Sequence, residues 1–256
     1  MKKIYIFVLS AVTVFCVILG TLVHVGGWLD LGFFPFGGDS GSSKEYSEEQ
    51  PGFRSLDIDA AVMSVTIQKG DRYHISYKAS ENLIPKMELK GETLVVTQPS
   101  TRKFWKNILG NKKCEMTITI PEGTVLNSAK FDFDVGNLIV SDLSAEQTKI
   151  SSDVGNVELT SCRGNRLEAE SDVGNIEIRS SEFKDTQIDT DVGNVYFSAA
   201  GNFSEYNVAL ATDLGKVTVD GNKLKRNFSQ TASAASSGRR LTVETDTGNI
   251  EITTSK

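Results

Sequence analysis

"SSDVGNVELT", residues 151–160, decides how this chain folds, because nearly the same ten letters occur three more times. "FDFDVGNLIV" (131–140) precedes it, and "ESDVGNIEIR" (170–179) and "DTDVGNVYFS" (189–198) follow. The motif aspartate falls at 134, 153, 172 and 191, three successive intervals of nineteen residues. Looser copies, "TDLGKVTV" and "TDTGNIEI", carry Asp213 and Asp246. A fixed period of this length is the mark of a stacked repeat architecture.

Within each copy the pattern alternates with period two, which is strand periodicity. Ile150, Ser152 and Val154 fall on one face, while Lys149, Ser151 and Asp153 fall on the other. Beyond the Gly-Asn pair, Val157 and Leu159 point inward and Glu158 outward. Aligned copies give apolar columns: Val135, Val154, Val173, Val192 and Leu214 in one, and Leu138, Val157, Ile176, Val195, Val217 and Ile250 in another. Columns of one residue type are what stacked coils need, because each coil buries its apolar face only against its neighbours. Gly-Asn between apolar strands is also a hairpin signal, which would give an antiparallel meander. That pairing sets Asp153 opposite Glu158 and Asp172 opposite Glu177, and like charges directly across strands are unfavourable. The expected fold is therefore all-β, a parallel β-solenoid with coils of nineteen residues over 131–256. Residues 53–130 carry "MSVTI", "YHISYKA", "LVVTQ" and "CEMTITI" as further strands. They are expected to form an irregular β cap continuous with the solenoid.

The N-terminus bears on the compartment. Lys2 and Lys3 precede an apolar run from Ile4 to Val25, long enough as a helix for a bilayer core of about 30 Å. A cleaved signal has a shorter apolar core and small residues before its cut site, neither of which is present here. Residues 1–27 are accordingly expected to be a retained transmembrane helix with its lysines inside, placing the C-terminal domain outside the cell. Residues 28–52, with Trp28, Phe33, Phe34 and Phe36 and then "GGDSGSSKEYSEEQPG", read as an interfacial aromatic belt followed by an extracellular linker.

Composition narrows the function classes. The net charge of −6 opposes nucleic-acid binding, which needs concentrated Lys and Arg. Cys16, Cys114 and Cys162 make no disulfide framework; buried thiols at 114 and 162 are expected over a bridge between them. His74 is the one histidine outside the apolar run and reads as a solvent-facing strand residue. No nucleophile–His–acid set, His metal cluster or glycine-rich phosphate loop appears, so no enzyme activity and no cofactor is expected. Acidic columns do leave open a carbohydrate-active enzyme on a β-helix, working with carboxylates and Lys or Arg on one face.

Two stretches are candidate sites. Asp134, Asp153, Asp172 and Asp191 stand one per coil, and either serve the bends as scaffold or gather Ca²⁺ between repelling carboxylates. In the scaffold account, Gly takes a positive φ, Asp and Asn bond the bend amides, and stacked asparagines form an amide ladder. The other candidate is "RKFWKNILGNKK" (102–113), in which Arg102, Lys103, Lys106, Lys112 and Lys113 interleave with Phe104, Trp105, Ile108 and Leu109. Basic and bulky apolar residues together suit an anionic membrane surface or a partner at one. A plain β-connection, with Phe104 and Trp105 packed under the cap, is the alternative.

The run "CEMTITIPEGTVLNSAKFDFDVGN", followed by "SSDVGNVEL", "ESDVGNIEI" and "DTDVGNVYF", resembles the bacterial adhesin-like β-strand-repeat family, long known as a domain of unknown function. The resemblance spans roughly residues 53 to 256. It implies a β-solenoid on the bacterial surface, in some cases encoded beside envelope-stress signalling systems, and supplies no catalytic residues. Many relatives write Ser-Ser-Gly-Asp where this chain writes Asp-Val-Gly-Asn, so the acid sits on the other side of the bend. The expected role is a membrane-anchored cell-surface binding or scaffold module whose partner is an envelope polymer, lipid or membrane protein. An accessory of envelope-stress signalling is the alternative.

Overall fold

In the computed structural model, the described residues are 43–98, 114–232 and 238–254. The expected transmembrane segment 1–27 lies outside them, and among the described residues no helix is long and apolar enough to cross a membrane. These residues build two sheets, one of eleven strands and one of ten.

Each coil contributes one strand to each sheet. Ser144–Val154 lies in the ten-stranded sheet, the chain bends through Gly155 and Asn156, and Val157–Thr160 lies in the other. Neighbouring coils pair in parallel and nineteen residues apart: Ile150 beside Phe131 and Ala169, Leu159 beside Val140 and Ile178. The parallel solenoid is thus what forms, and the antiparallel meander is not. Ser161 and Ser180 take φ of 56° and 48° at equivalent places on the opposite corner, where the chain returns to the first sheet.

The core lies between the sheets. Phe131, Ile150, Ala169, Ile188, Val243 and Leu210 form one fully buried row; Leu138, Val157, Ile176, Val195, Ile250 and Val217 face it from the other sheet. Burying a side chain of this size contributes about 1.5–3 kcal/mol, so a row of six is a large share of the driving force. Cys114 and Cys162 are free and buried, and burial drives their thiols up to about 12 and about 11.

The stack is not in chain order at its ends. The last coil, Arg239–Thr247 with Ile250–Thr254, inserts between Glu182–Val192 and Tyr206–Leu214, pairing in parallel with both. At the other end Ser55–Val62 stacks directly on Val125–Val135, leaving the coil made by Thr93–Thr97 and Cys114–Pro121 outermost. Two parts of the sequence reading need correction here. Residues 43–49, taken as linker, form a strand antiparallel to His74–Ser80. They are held by a Tyr46–Tyr77 stack with centroids 5.1 Å apart and a Lys78–Glu45 ion pair at 2.6 Å. Regular parallel coils also begin at Ser55 and so include much of the stretch read as irregular cap.

Proximity requires the Gly at every bend, and the expected positive φ is found at only some of them, Gly136 (154°) and Gly174 (159°). Gly155 and Gly193 have no φ in the left-handed range, but an added Cβ would meet the carbonyl oxygen of the preceding coil's glycine at 1.7 Å in both cases. The glycine N–H points the other way, Gly155 N–H donating to Val173 O at 3.0 Å. Beside it runs the asparagine ladder. The backbone N–H groups of Asn156, Asn175 and Asn194 each donate at 2.9 Å to the side-chain oxygen of the asparagine one coil back. Beneath the bend a hydroxyl column is buried: Thr212 and Thr245 donate to the carbonyls of Gly248 and Gly193, while the oxygens of Ser152, Ser171 and Thr190 have no partner among the described residues.

Gly155→Ala is expected to cost about 3 kcal/mol in urea unfolding, because backbone must move. Gly91→Ala, whose Cβ would meet nothing within 4 Å, should cost about 1 kcal/mol for its φ alone. Thr190→Val should be neutral or stabilising, since it removes a buried unpaired hydroxyl at nearly constant shape. Thr245→Val should lose about 1 kcal/mol with its hydrogen bond.

Candidate functional site

The corner formed by the Asp-Val-Gly-Asn bends repeats one set of exposed side chains from coil to coil. Within Ser144–Val154 the alternation runs regularly from Thr148 through Ser152, both buried, and then breaks, leaving Asp153 and Val154 both exposed. The sequence reading put the valine column inside. Instead Val154, Val173 and Val192 are 47%, 46% and 43% exposed, and Leu214 is 57% exposed. The physical reason is the bend: the chain leaves one sheet at the valine, so that side chain points off the corner. A parity count carries the signal, since Ser152 and Val157 both face in but stand an odd number of residues apart. One residue between them must break phase, and here it is the valine.

The valines stack in register, Val62 beside Val135, then Val154, Val173 and Val192. Val62, Val135, Val154 and Val173 line a groove of about 660 Å³ together with Gly136, Gly155, Gly174, Asn137 and Asn156. Met63, Ser64, Cys114 and Glu115 close one end.

On the other flank stands the aspartate row. Asp134, Asp153, Asp172, Asp191 and Asp246 precede the corner residue of their coils, and a second acidic row, Asp59, Asp132, Glu170, Asp189 and Glu244, lies two residues further back on the same face. Adjacent strands are about 4.8 Å apart. Partial burial first, and neighbouring carboxylates second, raise the pKa of Asp134, Asp153, Asp189 and Asp191. Among the described residues no lysine or arginine pairs with the first row. Nor, among the described residues, do the bend amides donate to these aspartates; the N–H groups of Asn156, Asn175 and Asn194 donate to asparagine side chains instead. Nor do three or more Asp, Glu, His or Cys side chains converge as a metal site among the described residues. A straight row with one carboxylate per coil spreads its ligands along the stack and does not wrap them around a point.

Elsewhere on the ten-stranded sheet, Asp57, Lys130, Lys149, Arg166 and Glu168 line a second groove of about 320 Å³. Its charges compensate each other. Lys149 reaches Glu168 at 3.4 Å, and Arg166 reaches Asp185 at 3.6 Å. A hydrogen bond from Arg166 holds Glu168 below the usual carboxylate range. A glycosidase acid needs the opposite shift, so Glu168 is poorly suited to that chemistry. His74 is half-buried on its strand, within 3.1 Å of Ser47 Oγ. The basic stretch Arg102, Lys103, Phe104, Trp105, Lys106, Lys112 and Lys113 lies outside the described residues.

The raised carboxyls make a signed prediction. Just above the ordinary carboxylate range the folded chain holds more protons at these sites than the unfolded chain. Their contribution therefore becomes more favourable as pH falls through that window and is unfavourable at neutral pH. Asp153→Asn should raise Tm by about 1–2 °C at pH 7 in low salt, an effect kept small by solvent screening. Differential scanning calorimetry should show the gap closing near pH 4 and shrinking in 0.5 M salt.

Comparison with known proteins adds the following. The model of a family described as Toastrack DUF4097 matches residues 53–199 and 123–253. No curated protein matches the chain. The fold is similar to a "putative cell adhesion protein" of Clostridium sporogenes, at 17% identity and TM-score 0.55, covering 84% of this chain and 100% of that one. A "putative adhesin" of Bacteroides fragilis is similar at 15% identity and TM-score 0.45, covering 83% and 98%. A "putative lipid binding protein" of Parabacteroides distasonis follows at 11% and 0.36, covering 85% and 98%.

Proposed function

Since this chain belongs to the Toastrack DUF4097 family, we propose that it is an adhesin-like module, held at the outer face of a bacterial plasma membrane by residues 1–27 and binding an envelope polymer, lipid or membrane protein. The supporting observation is the repetition of the surface itself. The solenoid offers registered rows of carboxylate and valine across successive coils. Such a face suits a long or repeating ligand, because each rung adds a weak contact and the contacts act together. The similarity to a protein named for cell adhesion agrees with this reading. Anchoring follows from the apolar run Ile4–Val25, which has the length of a bilayer span. A catalytic role has less support: the charged groove near Glu168 is internally neutralised, and the two buried thiols are held protonated.

Topology is the most direct test. Asn222→Cys places a thiol on an exposed strand, while Cys114 and Cys162 stay buried. In intact producing cells, a membrane-impermeant maleimide should label the variant, and the protein should fractionate with membranes until residues 1–27 are deleted. Labelling only after lysis would overturn the location. Photocrosslinking from Ser151, on the acidic face, should capture an envelope component; a face that captures nothing in whole cells would overturn the binding role.

A further inference from the structure

One end of the stack carries the opposite charge to its corner. Residues 222–231 close the outermost coil there: Lys223 and Asn222 pair antiparallel with Thr218 and Val219, and Asn227–Gln230 pairs antiparallel with residues 208–211. Between these pairings Lys225 and Arg226 cross the last bend. The Arg226 guanidinium donates to Asp213 O at 3.1 Å, and Thr212 N–H donates to Arg226 O at 2.9 Å. In a chain of net charge −6, residues 222–231 hold three bases, Lys223, Lys225 and Arg226, and no acid. Lys216 adds a fourth from the bend beneath, standing where residues 137, 156, 175, 194 and 249 are asparagine. All four are exposed. Ion pairs near this end join Arg239 to Glu182 at 2.7 Å and Arg240 to Asp185 at 3.6 Å; among the described residues none involves these four. Asp220, in the adjoining turn, is committed elsewhere, its carboxylate oxygens accepting from the N–H and the hydroxyl of Thr254 at 2.9 Å each. Further along the same strand a groove of about 330 Å³ is lined by Asn207, Ser229, Gln230, Thr231, Arg240 and Thr242. From Lys225 to Thr231 the strand runs about 20 Å at 3.3 Å per residue.

We propose that this capping strand binds a phosphodiester polymer of the envelope, which lies along residues 223–231 with phosphates on the strand's bases and on Arg240, and with sugar or polyol units against the amides and hydroxyls of the groove. This names a ligand class for the envelope-binding role proposed above and rests on that role. Arginine and lysine together suit phosphate, because a guanidinium takes two phosphate oxygens and an ammonium adds a compact charge. A lipid surface fits this end less well. Segments that lie on membranes set bulky apolar side chains beside their bases. Here the exposed side chains beyond Arg226 are Asn227, Ser229 and Thr231, while Leu224 and Phe228 pack on the core. The carboxylate row repels an anionic chain along the corner of the stack, so the end strand is the route left to it.

The test is titration of fluorescently labelled poly(glycerol phosphate) with the full-length chain in neutral detergent, followed by anisotropy. Binding should weaken steeply between about 0.05 M and about 0.5 M salt. Lys223→Gln, Lys225→Gln and Arg226→Gln together should weaken it about a hundredfold, at about fivefold per base, and Arg240→Gln alone about fivefold. Lys44→Gln, Lys86→Gln and Lys90→Gln remove the same charge from the opposite edges of the two sheets. In the eleven-stranded sheet that edge is ten strand spacings, or about 48 Å, away. This second triple variant should change binding by less than about twofold. Circular dichroism of each variant separates lost binding from unfolding. Absence of binding, equal losses in the two triple variants, or binding that the cap variants leave unchanged would overturn the proposal. So would binding to phosphatidylglycerol vesicles in place of the polymer, which would assign the strand to a lipid surface. Maleimide labelling decides the location separately, so a chain on the outer face that ignores the polymer refutes the ligand and leaves the envelope role standing.

Discussion

The structure depends on how closely one bend lies against the next. At Gly155, Gly193 and Gly248 the backbone of the neighbouring coil sits where a side chain would begin, with a carbonyl oxygen 1.7 Å from any Cβ. That approach lets the N–H groups of Gly136, Gly155, Gly174, Gly193 and Gly248 reach the coil ahead and those of Asn156 and Asn175 reach the side chain behind. A parallel stack has no other way to turn a corner this tightly and keep its rungs in register. Asn194 and Asn249 continue the ladder where the chain order of coils breaks down, which shows that the corner geometry and not sequence adjacency specifies the stack.

The same constraint forms the functional surface. Because the bend is tight, the residue before the glycine is carried off the corner into solvent along with the aspartate preceding it. Every coil that obeys the steric rule adds one corner side chain to a ridge, valine in the regular coils and Thr247 or Leu214 in the end coils, and one carboxylate to a row. The repulsion along the row, visible in the raised pKa of Asp153 and Asp191, is not relieved by the described part of the fold. Stability is supplied instead by the buried rows between the sheets. A surface kept at some electrostatic cost is suited to meeting a cationic group.

The repeat made most of the architecture legible in advance. Fixed spacing of Asp134, Asp153, Asp172 and Asp191 gave the coil length, and Glu158 opposite Asp153 argued against the hairpin. The asparagine ladder followed from identical side chains stacked in register. Val154 was misplaced because period two was carried one residue too far into the bend, and a corner obeys steric closeness and not alternation. The insertion of Arg239–Thr254 between two earlier coils left no local trace, since Val243 fits the same column whichever neighbour it meets. The strand Ser43–Glu49 was read as linker because its composition is polar, yet Tyr46 and the pairing of Glu45 with Lys78 suffice to dock an edge strand. For the valine groove, sequence supplied the residues, but only the bend geometry showed that the valines face outward along it.

Residue-resolved amide hydrogen exchange most directly tests the stacked corner. Asn156 and Asn175 are exposed residues in bends between strands, where an ordinary turn amide exchanges quickly. Under the close-packed arrangement, the N–H groups of Asn156, Asn175, Gly155 and Gly174 exchange together, as slowly as core amides such as Ile150 and Ile176. Exchange of these four at the rate of open turns, while Ile150 and Ile176 remain protected, would contradict it.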